Sequence, residues 1–177
     1  MPSLTMPAIL LVTAWDDLDW AIADVSADDM LRQIDGTSCF AWTLAHVTFQ
    51  VDSWINRRFQ HLPLDPLLSS PRFGIGGDGG ADDWPAIRDA ISSVRDRLRP
   101  YLLSLDEAGL DLTLQYDGSY KPFRETGINL RIAIVQCAIH HVFHLGEIVA
   151  KRELIGYDTG AFPGAFGAAL VGAHYQR

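Results

Sequence analysis

The chain has 177 residues, 48% of them hydrophobic and 20% charged, which predicts a single domain over residues 1–177 with a sizeable core. Fourteen Lys and Arg residues against 22 Asp and Glu residues give a net charge of −8. Nucleic-acid binders carry the opposite sign of charge, so a nucleic-acid partner is disfavoured.

The distribution of charged residues and cysteines predicts a cytoplasmic protein. No basic residue precedes Arg32, and acidic residues from Asp16 onward interrupt the first apolar stretch, so neither a secretory signal nor a membrane span is expected there. The uncharged stretch 159–176 is broken by proline and glycines and is too weakly apolar to insert into a membrane. Cys39 and Cys137 are too few for a disulfide scaffold and suit a reducing compartment.

Two long helices are predicted in the first third of the chain. Apolar residues recur at helical spacing from Ile9 to Val25, which predicts a helix near 5–25. Ser26 then starts a short helical turn. No glycine or proline interrupts residues 39–59, and one apolar face predicts a helix near 38–60.

The middle of the chain predicts a long loop, a third helix and a small hairpin. Residues 61–83 contain three prolines and a glycine-rich run, which predicts a long crossover loop. Asp83 and Pro85 start a helix near 84–104. Residues 110–116 then alternate apolar and polar, which predicts a small hairpin that pairs with residues 120–123.

The fourth long helix is predicted near residues 127–155 and is apolar on two faces. At about 100° per residue, one face carries Cys137 and His144. The other carries a second apolar set: Ile132, Val135, Ile139, Val142 and Phe143. One bundle core needs only one such face, so the second predicts a homodimer.

Histidines four residues apart on the fourth helix are the strongest indication of chemistry. His140 and His144 project from one face about one turn apart, so both imidazoles can bind a single ion. Two neutral imidazoles are costly to bury without a shared partner, which favours metal binding over a structural role. Glu147 lies on the same stripe, where it could act as a base or orient a histidine.

His46 is the one other histidine in a predicted helical apolar segment, and it is the candidate third ligand. Taken alone, His46 fits a core histidine that is satisfied by hydrogen bonds better than it fits a ligand. Cys137 could be a fourth ligand or a thiol nucleophile, although a small buried hydrophobe is the better interpretation. The run Gly74–Gly79 matches a dinucleotide motif, but no strand precedes it, so a flexible loop is expected.

The segment Leu44-Ala-His46-Val, together with His140-x-x-x-His144-x-Gly146-Glu147, resembles the DinB/YfiT-like superfamily. The resemblance covers nearly the whole chain. It implies an all-α four-helix bundle with an up-up-down-down crossover, often dimeric, that holds one divalent metal through His46, His140 and His144. Related members include thiol-dependent S-transferases and a mycothiol-dependent maleylpyruvate isomerase.

Two function classes follow from these expectations. The first is an enzyme, either a thiol-dependent S-transferase or a hydrolase, that acts on a small-molecule substrate through a Zn, Ni or Fe ion. The resemblance implies bacillithiol or mycothiol as a cosubstrate. The second is a non-catalytic metal-binding or stress-related dimer, whose ion mainly joins two helices. A fourth protein ligand would favour the second class. A bundle that binds a ligand without metal remains if His46 points away from His140.

Overall fold

The computed structural model describes residues 4–118 and 120–158. His174 and the uncharged stretch 159–176 lie outside the described residues. The first long helix, α1, spans Met6–Ile22 and has Pro7 near its start, where a missing N–H is tolerated. The short helix α2, Ala27–Leu31, follows, with the Ser26 side chain accepting a hydrogen bond from the Asp29 N–H.

The second long helix changes its winding halfway along. It begins as α3, Phe40–Val51, and continues as a π-helical segment, Asp52–Arg57. Buried Asp52 holds this segment because its carboxylate accepts hydrogen bonds from Asn56 Nδ2 (2.9 Å), the Asp65 N–H (2.7 Å) and Arg97 (3.2 Å). A π-turn accommodates about one extra residue in a helix, and such turns are frequent at functional sites.

The third long helix, α4, spans Trp84–Ser104 as predicted. It is capped by Asp83, whose side chain accepts a hydrogen bond from the Ala86 N–H (2.9 Å). The helix continues through Pro100. The loop before it contains a 3-10 turn, Pro71–Phe73, and is tied together by Arg72, which pairs with the carboxylates of Asp78 and Asp82.

The predicted hairpin is wrong in its second strand. Strand β1, Thr113–Leu114, pairs antiparallel with β2, Ile128–Asn129, and not with residues 120–123. A short helix, α5, Lys121–Thr126, lies between the two strands and has Pro122 near its start. Proline fixes a helical φ and removes a backbone donor, so it favours the first turn of a helix over a strand at this position.

The fourth long helix, α6, spans Leu130–Leu154 and packs against both α1 and α3. By length and composition alone it could cross a membrane, and it is the one such helix among the described residues. The central helix of a globular bundle meets the same criteria. Within the bundle, α6 buries Leu145 and Ile148, and it also buries Lys151 and Arg152, which are paired with polar groups of α1, α3 and their flanking residues.

Contacts at the helix ends give the directions of the long helices. Arg152 near the end of α6 donates a hydrogen bond to the carbonyl of Ala21 near the end of α1 (2.7 Å), so α1 and α6 are parallel. Glu147 of α6 accepts a hydrogen bond from Ser38 just before α3 (2.8 Å), so α3 is antiparallel to both.

The long loop then returns to the beginning of α3, where the Gly79 carbonyl accepts a hydrogen bond from the Cys39 N–H (2.7 Å), so α4 runs parallel to α3. The all-α four-helix bundle is confirmed, and its directions are up, down, down and up. This corrects the up-up-down-down order. Residues 23–39, which include α2, join the antiparallel helices α1 and α3, whereas the crossover loop joins the parallel helices α3 and α4.

Candidate metal centre

The imidazoles of His46, His140 and His144 meet between α3 and α6. His46 lies at the middle of α3, and the other two lie one turn apart on α6, which runs alongside. One ligand atom from each ring lies within 4.8 Å of the other two. The Nε2 atoms of His140 and His144 are 3.2 Å apart. The structure therefore brings together the three histidines that the sequence singles out.

This donor set fits a divalent metal ion. Zinc–nitrogen bonds of about 2.1 Å place tetrahedral ligands about 3.4 Å apart, so small side-chain movements complete the geometry. His46 Nδ1 lies 2.8 Å from the Phe73 carbonyl, and His144 Nδ1 lies 2.7 Å from Glu147 Oε2. Each Nδ1 therefore donates its proton outward, which leaves the Nε2 lone pair free to bind a metal.

The surroundings of His46 and His140 favour their neutral form. Burial and the neighbouring histidines lower the pKa of His140 to about 4. Burial also lowers the pKa of His46, partly opposed by its hydrogen bond to Phe73. Neutral imidazole is the form that binds a metal, because the protonated ring has no free lone pair.

The loop between the second and third long helices positions His46. Trp42, one turn earlier on α3, stacks on the His46 ring with 4.9 Å between ring centroids and an interplanar angle of 8°. The Trp42 Nε1–H donates to the Arg72 carbonyl (2.7 Å), and the next carbonyl, that of Phe73, receives the His46 bond. The middle of the loop thus supports the site through the carbonyls of Arg72 and Phe73.

Glu147 is the centre of a buried polar network behind His144. Its Oε2 accepts from His144, and its Oε1 accepts from Ser38 (2.8 Å) and forms an ion pair with Lys151. The Lys151 ammonium is buried and also donates to Ser38 (2.8 Å) and Thr43 (3.1 Å). Burial raises the Glu147 pKa, but these hydrogen bonds outweigh it and lower the pKa to about 2. Both oxygens of a fully ionised carboxylate are therefore occupied, which suits a role in orienting His144 better than a role as a base.

Cys137 does not reach the three histidines. Its side chain is fully buried, and burial raises the pKa of its thiol, as expected for an inert small hydrophobe. Among the residues that the structure describes, the metal-ligating group comprises the three histidines alone. Gln50, one turn after His46, lines the cavity beside the site.

Three contributors to the site were missed by the sequence reasoning. Lys151, Ser38 and Thr43 complete the Glu147 network, and all three come from the region where the end of α6 meets the start of α3. A usable indication existed for Lys151, which follows Glu147 by one helical turn and so shares its stripe. No local pattern marks Ser38 or Thr43, because their contribution depends on how the helices pack.

Comparison with known families gives one match that covers most of the chain. The family described as the DinB superfamily matches residues 10–148, a range that includes all three histidines and Glu147. A search of curated proteins found no similar protein.

Proposed function

The chain belongs to the DinB superfamily, and from this premise we propose that it is a metal-dependent enzyme, a thiol-dependent S-transferase or a hydrolase, that acts on a small molecule. His46, His140 and His144 would hold one divalent ion, with zinc, nickel and iron as the candidates. Bound there, the ion would supply a Lewis acid able to activate water or a thiol cosubstrate such as bacillithiol or mycothiol.

One observation carries the choice of an enzyme over a structural site. His46 and His140 line an open cavity of about 530 Å³, so the histidine cluster has a side that faces space for a substrate. Structural zinc sites are closed by four protein ligands, whereas catalytic sites keep a position open. In the part of the chain that the structure describes, no fourth ligand accompanies the three histidines.

The surrounding residues support this role by fixing the histidines. Glu147 and the Phe73 carbonyl hold two imidazoles in the tautomer that presents Nε2. Lys151 and Ser38 add to the bond from His144 in favouring the ionised form of Glu147, so the carboxylate remains an acceptor for His144. Trp42 covers one face of His46 and excludes water from that side. These residues position the ligands and do not themselves reach the cavity centre.

We also propose a cytoplasmic location, a single domain over 1–177 and a homodimer. Both cysteines are free thiols, which suits a reducing compartment. The second apolar face of α6 is exposed in the isolated chain: Ile132, Ile139, Val142 and Phe143. Phe143 leaves 72% of its surface in solvent. A second copy that packs on this face would remove it from water.

The test compares two reactions in the wild-type protein and in two histidine variants. Zinc-loaded protein is incubated with bacillithiol or mycothiol and 1-chloro-2,4-dinitrobenzene, and separately with 4-nitrophenyl acetate. We expect turnover of at least one substrate that is lost in His144→Ala and kept in His61→Ala, because His61 is an exposed loop histidine. Undiminished turnover in His144→Ala contradicts the proposal.

The second candidate, a non-catalytic metal-binding dimer, has one observation in its favour. The three histidines join α3 to α6, so an ion there also links two core helices. This candidate predicts that zinc raises the melting temperature while the loaded protein turns over none of the substrates above. It also predicts that the metal exchanges slowly with free chelator, since a closed structural site has no open coordination position.

A further inference from the structure

The cavity beside the histidines extends far beyond the space that an ion and water need. At about 530 Å³ it falls within the range of small-molecule sites. His46 and His140 line one end, and Arg58 and Tyr116 line the other. The chemical group that binds at the Arg58 end determines the class of substrate. This inference rests on the function proposed above.

The π-helical segment brings Arg58 to this cavity. Arg58 follows His46 by twelve residues, and in an uninterrupted α-helix it would lie about 120° away around the axis. The extra residue accommodated between Asp52 and Arg57 turns the following residues back by about 100°. Arg58 therefore shares the stripe of His46, Gln50 and Trp54. It lies between this cavity and a neighbouring one, and Arg57 lines only the neighbouring cavity.

Arg58 is held in place but only weakly neutralised. Its guanidinium lies over the Tyr116 ring, 4.5 Å from the ring centroid. Its Nη1 pairs with Asp117 at 3.1 Å, but the Asp117 side chain is 93% exposed, and such pairs contribute little because water competes for both charges. Among the described residues, no carboxylate lines the cavity. The cavity thus has one fixed positive charge at one end.

The walls between the two ends are mostly apolar. Phe49, Trp54 and Tyr120 line the cavity. Phe123 of α5 braces two of these rings from behind, with centroids 5.5 Å from Trp54 and 4.9 Å from Tyr120. Walls of this kind favour an apolar body in the ligand, because its burial removes both surfaces from water.

We propose that this cavity binds an elongated apolar carboxylic acid, with its carboxylate on Arg58 and its far end against His46 and His140. A planar guanidinium matches a carboxylate with two parallel hydrogen bonds, and a single cation balances a single negative charge. His46 and Arg58 lie twelve residues apart along the same helix, which requires an extended ligand if one molecule is to touch both ends. The site would thereby place the uncharged end of the acid at the histidine cluster.

The test uses 4-phenylbutyrate and its uncharged amide, 4-phenylbutanamide, as matched probes. Binding to chelator-treated, metal-free protein is followed by titration calorimetry, so that the acid cannot bind through a metal. We expect the acid to bind about tenfold more tightly than the amide, as a charge-assisted pair with one arginine provides. In Arg58→Gln this preference disappears, while Arg57→Gln keeps it.

A second variant gives a result that misfolding of Arg58→Gln could not produce. Asp117→Asn removes the internal carboxylate that competes for Arg58, at a position exposed enough to leave the fold intact. We expect this variant to bind 4-phenylbutyrate severalfold more tightly than the wild type and the amide equally well. Equal binding of acid and amide by the wild-type protein, or an unchanged preference in Arg58→Gln, overturns the proposal.

Two further measurements distinguish this proposal from unspecific anion binding and from the proposed metal-dependent reaction. Inorganic phosphate is titrated as a control, and binding as tight as that of 4-phenylbutyrate would show recognition of any small anion and overturn the role of the apolar walls. The acid preference is also measured in His144→Ala. Its persistence there supports the Arg58 site whether or not the histidines support catalysis, so failure of the metal-dependent reaction and failure of the acid site give different results.

Discussion

Replacing Glu147 by glutamine tests the polar network behind the histidines. The change leaves the buried Lys151 ammonium without its counter-charge while preserving the shape of the side chain. Breaking a buried ion pair by removing one partner costs about 3–5 kcal/mol. Because 30% of the Glu147 side chain is exposed, water compensates part of this, and we expect a loss of about 2 kcal/mol in the free energy of unfolding. For a chain of this size the melting temperature then falls by about 4–8 °C.

The same substitution weakens metal binding for a separate reason. An amide oxygen still accepts a hydrogen bond from His144 Nδ1, but it no longer carries the charge that makes the imidazole a better ligand. We expect zinc affinity to fall about tenfold, the lower end of the effect of losing such a partner. Urea unfolding followed by tryptophan fluorescence gives the stability, and competition with a chromophoric chelator gives the zinc affinity.

A double variant separates the two effects. Glu147→Gln combined with Lys151→Met removes both charges, so stability should return to within about 1 kcal/mol of the wild type, since a buried ion pair is often replaceable by apolar groups. Zinc affinity should stay low, because His144 still lacks its anionic partner. Lys151→Met alone should keep wild-type zinc affinity. If Glu147→Gln unfolds like the wild type and binds zinc equally tightly, the reasoning about this network is refuted.

Three other predictions concern the fold, the assembly and the ion. Asp52→Ala removes the buried acceptor of the π-helical segment and should lower the free energy of unfolding by about 3 kcal/mol in urea titrations, whereas Asp117→Ala should change it by less than about 0.5 kcal/mol. Phe143→Glu should convert a dimer into a monomer in light scattering at micromolar concentration, and a wild-type monomer would contradict the role given to the exposed face of α6. At a zinc concentration about 100 times the wild-type dissociation constant, zinc should stabilise the wild type by about 2.7 kcal/mol in thermal unfolding. An equal gain in His46→Ala at the same zinc concentration would argue against the site.

The positions of the long helices could be read from the sequence because each has a strong apolar periodicity and clear end signals. The third is the clearest case, since Asp83 and Pro85 fix its start and the structure gives Trp84–Ser104. The direction of each helix could not be read in the same way, because the length of a connection does not decide it. Residues 105–129 join the antiparallel helices α4 and α6, and this segment is at least as long as the crossover loop 61–83, which joins the parallel helices α3 and α4.

In the candidate site, too, the residues placed by local spacing could be predicted, and the residues placed by helix packing could not. His140 and His144 share one helix, so their spacing alone places them together. The i,i+4 spacing from Glu147 could have indicated Lys151, but its other partners, Ser38 and Thr43, are more than 100 residues away in the chain. The π-helical segment was also missed, since its cause is the set of hydrogen bonds that Asp52 receives from two other parts of the chain.

The central claim is that His46, His140 and His144 together bind one divalent ion. The most direct test is the metal content, by inductively coupled plasma mass spectrometry, of tag-free wild-type protein and of His144→Ala after identical loading with zinc and removal of excess metal. We expect about one ion per chain in the wild type and a small residual fraction in the variant, with matching far-ultraviolet circular dichroism, because the large core keeps the bundle folded. Full zinc content in a folded His144→Ala protein, or none in the wild type, would contradict the central claim.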